Sequence, residues 1–300
     1  FEFVQSPANS SLQRNIGLTK VESPIVMFPD DDVFWLDGAA EAVMRIYERD
    51  TEYRVGGVGV AYVSEPPAHL GFDAGDTYKM RLTHRLRVKL NRPYEFLSRK
   101  VFADPLWIHG QSCIAACSPP EWLASEDATL VEWGGFSYRT EAILPRGYDA
   151  DLGAFVGYAK CEDGEMCFQV WHDYIMVGAP RAQFYHPRHP TNRAGGFELG
   201  FISQLNRAYV VCKHSLPGSQ ARSCINKFSW YMLMQYLAEP QSQFGRDRIR
   251  GALAGIRAQK ALLKAEGEHL RREYMTACER VLRRPPRATD VPTVTPTYER

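Results

Sequence analysis

Ile25-Val26-Met27-Phe28 is an unbroken apolar run closed off by Pro24 and Pro29, and three carboxylates follow it: Asp30, Asp31 and Asp32. A short apolar run without alternation, bounded by turn formers, is the pattern of a strand covered on both faces. It predicts a buried parallel strand in an α/β sheet. Leu36, Ala40, Val43 and Tyr47 then recur at helical spacing, and residues 55–63 (VGGVGVAYV) return to strand character. Strand, acidic turn, helix and strand over 21–63 make a βαβ-type unit. Ligands of open α/β sheets bind at the carboxyl ends of strands, where the three Asp residues stand.

The chain has 300 residues, enough for one large domain or two ordinary ones, and it is 45% apolar and 24% charged. That balance excludes disorder, collagen and coiled coil for most of its length. Its net charge of +1 gives no global basic field, so no nucleic-acid partner is expected, although the last third carries runs of Arg and Lys. No apolar stretch is long enough for a transmembrane helix. Seven cysteines, at 113, 117, 161, 167, 212, 224 and 278, form no C-x-x-C pair. They argue against a disulfide framework or zinc cluster and fit a reducing cytoplasm. The chain opens Phe1-Glu2-Phe3, without Met or a signal peptide, which suggests a piece of a longer protein.

Elsewhere the pattern predicts a short helix over 11–20, with Leu12, Ile16 and Leu18 inward. Residues 64–130 begin as a loop (Pro66-Pro67, Gly71, Gly75), and the basic stretch 79–101 is helix or hairpin. Residues 131–139 read as a strand in which Gly134-Gly135 permit close backbone approach. A short helix over 163–173 leads to a strand ending at Phe184-Tyr185-His186. Helices are predicted over 197–214, 226–238 and 246–282, the last with an apolar stripe at Ile249, Leu253, Ile256, Leu263 and Leu270. The Pro- and Thr-rich tail from Pro285 is expected to be disordered. The organisation expected is an α/β domain over 1–195, a helical region over 196–284 and a tail over 285–300.

Four groups of residues carry chemistry. Asp30, Asp31 and Asp32 are hard oxygen ligands suited to Mg²⁺ or Mn²⁺, or else an acidic cap on the next helix. Glu162 and Asp163, with Glu165 close behind, are paired carboxylates whose pKa values split so that one serves as a base, or else helix N-terminal acids. His186 is a metal ligand if it meets those carboxylates, and structural otherwise. Arg14-Asn15 with Gly17 offers a cation and an amide for a diphosphate, or else a surface Arg and a helix-terminal Asn. Gly56-Gly57-Val58-Gly59 lacks phosphate-loop spacing and reads as a tight strand. No P-loop and no G-x-S-x-G elbow is present.

In their order these pieces resemble glycosyltransferase family 2, inverting enzymes of the GT-A fold, in which a Rossmann-like mixed sheet is flanked by helices. Residues 14–18 (RNIGL) look like the family's Arg-Asn-x-Gly segment, and 25–33 (IVMFPDDDV) like its strand ending in D-x-D. Residues 134–139 (GGFSYR) with 147–151 (GYDAD) look like its acceptor-side stretch. Residues 162–170 (EDGEMCFQV), followed by His186, look like its Glu-Asp helix and closing His. The match covers about residues 6–190, and the helices beyond suit bacterial polysaccharide members. The family's first βαβ units have no counterpart; at ~30 residues per unit, roughly 60–90 residues would precede this chain. Cys161 stands where Gly is common, and Gln169 where Arg is frequent.

The resemblance implies a metal-dependent, hexosyl- or rhamnosyltransferase-like enzyme of cell-surface polysaccharide synthesis. It would move a sugar from a nucleotide-sugar donor to a glycan or lipid-linked acceptor. Asp30 and Asp31 would lie near the donor, Asp32, Asp30 and His186 would hold Mg²⁺ or Mn²⁺, and Arg14 and Asn15 would meet the diphosphate. Asp163 would be the base, Glu162 would orient it or the acceptor, and Trp133 and Tyr138 would form an apolar face for a sugar. The same acidic residues are also compatible with a non-catalytic glycan- or nucleotide-sugar-binding module, or with a metal-dependent nucleotidyltransferase or phosphohydrolase. The basic helix over 246–282 is either a packed helix with a solvated face or a peripheral contact with the inner face of an anionic membrane.

Overall fold

The computed structural model describes residues 4–30, 33–63, 102–124, 128–131, 135–186, 194–238 and 242–283. Expectations for Asp31, Asp32, Trp133, the basic stretch 79–101 and the tail from Pro285 lie outside them. Among the described residues six strands form one mixed sheet: β1 (Ile25–Met27), β2 (Phe34–Trp35), β3 (Val55–Val63), β4 (Thr129–Leu130), β5 (Gly135–Arg139) and β6 (Ile175–Tyr185). The order is β1-β5-β3-β6-β2, and β4 also pairs with β6. β5 runs antiparallel to both β1 and β3, while β3 and β6 are parallel.

This corrects one expectation. β1 and β3 point the same way but are not neighbours, because β5 lies between them, so the βαβ unit over 21–63 is split. The ladder of β1 among the described residues is antiparallel. An apolar run reports burial on two faces and says nothing of the direction of the neighbouring strand.

Side chains leave the sheet alternately on two sides. Ser137 and Arg139 of β5 turn towards α2 (Ala39–Arg49): the Ser137 hydroxyl lies 3.2 Å from Tyr47 Oη, and Arg139 is paired with Asp50 at 2.9 Å. Ala39, Val43 and Ile46 of α2 pack there on Val55, Val58 and Val177. Tyr138 turns the other way, onto Met166, Cys167 and Val170 of α5 (Glu162–Val170). Gly56 and Gly57 allow β3 to pass close to that layer. A Cβ at Gly56 would sit 2.5 Å from Tyr174 and Val170, and one at Gly57 2.6 Å from Met176. The tight-strand reading of this glycine run fits those contacts.

α1 (Ser10–Leu18) precedes the sheet, and two further helices, α3 (Pro105–Ala116) and α4 (Thr140–Ile143), connect its parts. The helical region contains α6 (Gly196–His214), α7 (Gln220–Ala238), α8 (Gln243–Leu262) and α9 (Gly267–Leu282). The single helix expected over 246–282 is therefore two. The break is held by Arg222, only 5% exposed, whose guanidinium donates to the carbonyls of Cys212, Ser215, Leu263 and Ala265. One buried cation thus satisfies carbonyls at the ends of both α6 and α8, which would otherwise lack partners.

The apolar stripe expected there packs as two patches: Ile249, Leu253 and Ile256 join Leu233 and Tyr236 of α7, and Leu263 and Leu270 join the cluster that holds Phe201 and Leu205. α8 crosses α6 through paired glycines, Gly196 and Gly200 against Gly251 and Gly255. A Cβ at Gly200 would lie 2.0 Å from the Arg248 carbonyl oxygen, and one at Gly251 1.9 Å from that of Phe197. Spaced four apart in each helix, these residues let two backbones touch. The helical region is docked firmly on the rest. A single cluster contains Leu152, Phe155 and Phe168 together with Phe201, Leu205 and Tyr274. Among the described residues no helix is long and apolar enough to cross a membrane.

Candidate functional site

α1 is a short helix fixed at both ends. Asn9 caps it by accepting from Leu12 N, and Leu12 and Leu18 are buried beneath it. Asn15 locks its position: its amide donates to Tyr148 O at 2.8 Å and accepts from Tyr148 N at 2.6 Å. Both ends of that amide are thereby occupied by the 147–148 turn. The residue expected to meet a diphosphate is here a positioning residue, joining two segments far apart in sequence.

Arg14 projects from α1 into a group of three carboxylates. Its Nη1 donates to Asp163 Oδ1 at 2.6 Å and lies 3.6 Å from Glu162 Oε1, while its Nη2 reaches Asp30 Oδ1 at 3.2 Å. Its guanidinium also sits 5.1 Å from the Tyr148 ring centroid. The carboxylates lie at different depths: the Asp163 side chain is 50% exposed, Asp30 34% and Glu162 11%. Burial, with the neighbouring Asp163 charge, pushes the Glu162 carboxyl up to about 7 against the pull of Arg14 and Lys160. Burial by itself would lower the Arg14 pKa, but the surrounding anions, Asp163 foremost, carry it well above its ordinary value.

The floor of this group is aromatic. Phe28, one residue past β1, meets Tyr148 edge-on at 5.4 Å and Tyr138 at 6.4 Å. Tyr138 is fully buried, with its hydroxyl 3.6 Å from Cys167 Sγ, so it cannot offer the sugar-facing surface expected of it. The Tyr148 hydroxyl is also buried and has no hydrogen-bond partner among the described residues. A buried hydroxyl left unpaired costs roughly 1–3 kcal/mol. Cys161, immediately before Glu162, adopts φ +73°, in the left-handed region. That conformation favours glycine and explains why a glycine suits this position.

His186 follows the last residue of β6. Phe34 pairs with Tyr185 and Trp35 with Phe184, so one further step along this antiparallel register brings His186 beside Val33, next to the acidic turn. Among the described residues no group of three His, Cys, Asp or Glu side chains is arranged to hold a metal ion. Asp30 is the one member of the triplet described. Asp30 and the two Asp residues next in sequence are oxygen donors of the type hard divalent cations take, and Asp30 is here paired with Arg14 at 3.2 Å.

The other acids of the acceptor-side and Glu-Asp segments serve a joint that the sequence did not reveal. Glu165 is fully buried, accepting from Lys213 at 2.6 Å and lying 3.1 Å from His214 Nε2. Burial would raise its pKa, but these two partners outweigh that and hold it below the ordinary value. Asp149 accepts from Lys213 at 2.7 Å and from Tyr209 at 3.2 Å, and Asp151 is gripped twice by Arg271. These pairs border a cleft of about 730 Å³ between the 146–151 turn and helices α6 and α9. Lys213 and Arg271 gave no sequence signal, because their meaning depends on the acids they meet.

No family profile matches the chain, and no curated protein or solved structure matches it.

Proposed function

We propose that the chain is a metal-dependent inverting glycosyltransferase with a GT-A-type sheet. It moves a sugar from a nucleoside-diphosphate sugar to a hydroxyl of a glycan or lipid-linked acceptor. One observation carries this reading. Segments 14–18, 25–33 and 162–170, which the resemblance picks out separately, meet around the Arg14 guanidinium, and Tyr148 of the fourth segment lies against it. Asp30, just past β1, and Glu162 and Asp163 at the α5 N-terminus share the Arg14 guanidinium, which supports this reading.

In this reading Asp163, the most exposed acid of the group, accepts the proton of the acceptor hydroxyl. The acceptor oxygen forms its bond to the anomeric carbon from the face opposite the leaving group. The carbon–oxygen bond to the diphosphate breaks, and its electron pair leaves with the diphosphate. Arg14 offers the departing group a planar pair of donors, and Glu162 supports Asp163 from the buried side. Asp30, Asp31, Asp32 and His186 would hold Mg²⁺ or Mn²⁺. When bound, that ion supplies positive charge against the diphosphate.

The test is product identity. A panel of nucleotide sugars, incubated with the protein and Mn²⁺, should yield nucleoside diphosphate and a glycosylated acceptor or free sugar. Release of nucleoside monophosphate would replace this reading with a phosphohydrolase or nucleotidyltransferase. Binding without turnover on any acceptor would replace it with a non-catalytic module.

A further inference from the structure

The strongest contact at the candidate site joins two groups that the proposed reaction must separate. Asp163 has to receive a proton from an acceptor, yet its Oδ1 already accepts from Arg14 at 2.6 Å. Arg14 has to meet a diphosphate, yet its two terminal nitrogens are engaged by Asp163, Glu162 and Asp30. We propose that Arg14 is a clasp that keeps Asp163 engaged until a diphosphate arrives, so that the base is released only when a donor is in place. The proposal rests on the glycosyltransferase reading and assigns that site an order of events.

Three observations support it. First, α1 is anchored by its Asn9 cap, by Leu12 and Leu18, and by the double Asn15–Tyr148 link. The helix is fixed, so Arg14 can leave Asp163 by turning about its own side-chain bonds, which is fast. Second, one guanidinium serves three carboxylates at 2.6, 3.2 and 3.6 Å. A diphosphate offers two planar-matched oxygens and more than one negative charge, and it competes well against a single half-exposed carboxylate. Third, the Tyr148 ring lies against the guanidinium, and its hydroxyl is buried without a hydrogen-bond partner among the described residues. That donor is available to a ligand oxygen or to a redirected carboxylate once Arg14 turns.

The experiment measures Asp163 accessibility directly, with no need for the true donor. The full chain is pulsed with a large excess of carbodiimide and an amine, and labelling of Asp163 is followed by peptide mass spectrometry, with exposed Asp37 as the internal reference. Magnesium pyrophosphate is the probe, and its binding is confirmed separately by calorimetry. The expected result is slow Asp163 labelling alone and a several-fold rise when pyrophosphate saturates. Arg14→Gln should label fast without pyrophosphate and show no further rise; Arg14→Lys, which keeps the charge, guards against a folding defect in the first variant. Pyrophosphate that binds while Asp163 labelling stays constant or falls would overturn the clasp and leave the proposed function standing. Pyrophosphate that does not bind would overturn the diphosphate site, and the clasp with it.

Discussion

Arg14 Nη1 stands 2.6 Å from Asp163 Oδ1 although 149 residues separate the two in sequence. Nothing local brings them together. α1 places the arginine, the N-terminus of α5 places the aspartate, and the Asn15–Tyr148 link holds α1 to the chain that leads into α5. The distance is therefore a product of the whole fold, and disturbing the cluster should be visible in stability as well as in activity.

Glu162 should make the protein less stable as pH rises. Its folded pKa of about 7 exceeds the ordinary carboxyl value of 4.5, so the folded state binds the extra proton between those limits. Its contribution is fully present below pH 4.5 and is lost as pH rises through 7. With the side chain 11% exposed, the loss by pH 8 is up to about 3 kcal/mol. Glu162→Gln keeps the shape without the charge, so its thermal midpoint should fall less between pH 5 and pH 8 than that of the parent. Identical pH slopes in the two proteins would mean that Glu162 is not the group responsible.

Asp163→Asn should lower the rate of transfer by roughly 10²–10⁴-fold, the usual contribution of a positioned base. The KM for the donor should fall, because the variant removes a charge that competes with the diphosphate for Arg14. Kinetics on a competent donor and acceptor pair would decide this, and a variant with parental kcat would remove Asp163 from the role.

Two glycines should behave oppositely. Gly251→Ala places a methyl 1.9 Å from the Phe197 carbonyl oxygen, where no flexible side chain can give way. Forcing α6 and α8 apart should cost about 3 kcal/mol or more. Gly17 has open space around its Cβ position, and it lies in a helix. Gly17→Ala should therefore stabilise by roughly 0.5–1 kcal/mol. Denaturant melts of both variants test the pair, and equal effects would contradict the close α6–α8 crossing.

A lipid-linked acceptor would bring the protein to a membrane, and an exposed apolar face is found on α7. The apolar residues of α8 and α9 mostly pack inward, whereas Trp230, Met234 and Leu237 on one face of α7 are 54%, 60% and 49% exposed. Lys227 lies on the same stripe, and residues 196–300 carry 17 Lys and Arg against 9 Asp and Glu. An amphipathic face in a basic region suits an anionic bilayer. The protein should sediment with phosphatidylserine vesicles at low salt, and Trp230→Ser with Met234→Ser should reduce that several-fold. Equal sedimentation of parent and double variant would exclude α7 as the contact.

What could be read in the sequence was what depends on local period and local chemistry. β3 over 55–63, α5 after Cys161 and the strand ending near Tyr185 follow from apolar patterning and helix-terminal acids. The candidate cluster was legible as separate pieces, Arg14, Asp30, Glu162 and Asp163, because each is a charged residue at the end of an element. Their convergence was not legible, since it depends on β5 inserting between β1 and β3. Nor was the burial of Tyr138, whose face of β5 is chosen by α5. The α6–α8 crossing was missed for another reason. Its signal is an absence of side chains, glycines four apart in two helices, while the apolar stripe pointed to larger residues. The break at Leu263–Glu266 is set by Arg222, some forty residues earlier, whose role emerges only once α6, α7 and α8 meet.

The measurement that bears most directly on the central claim is calorimetry of a panel of nucleoside diphosphates, with and without Mn²⁺, on the parent protein, Arg14→Gln, Asp30→Asn and Asp32→Asn. The glycosyltransferase reading predicts Mn²⁺-dependent binding of at least one nucleotide. It predicts weaker binding in Arg14→Gln and loss of the metal dependence in the two aspartate variants. Failure of every nucleotide to bind, or binding indifferent to Mn²⁺ and to all three substitutions, would contradict it and leave Arg14 and its carboxylates as a structural clasp.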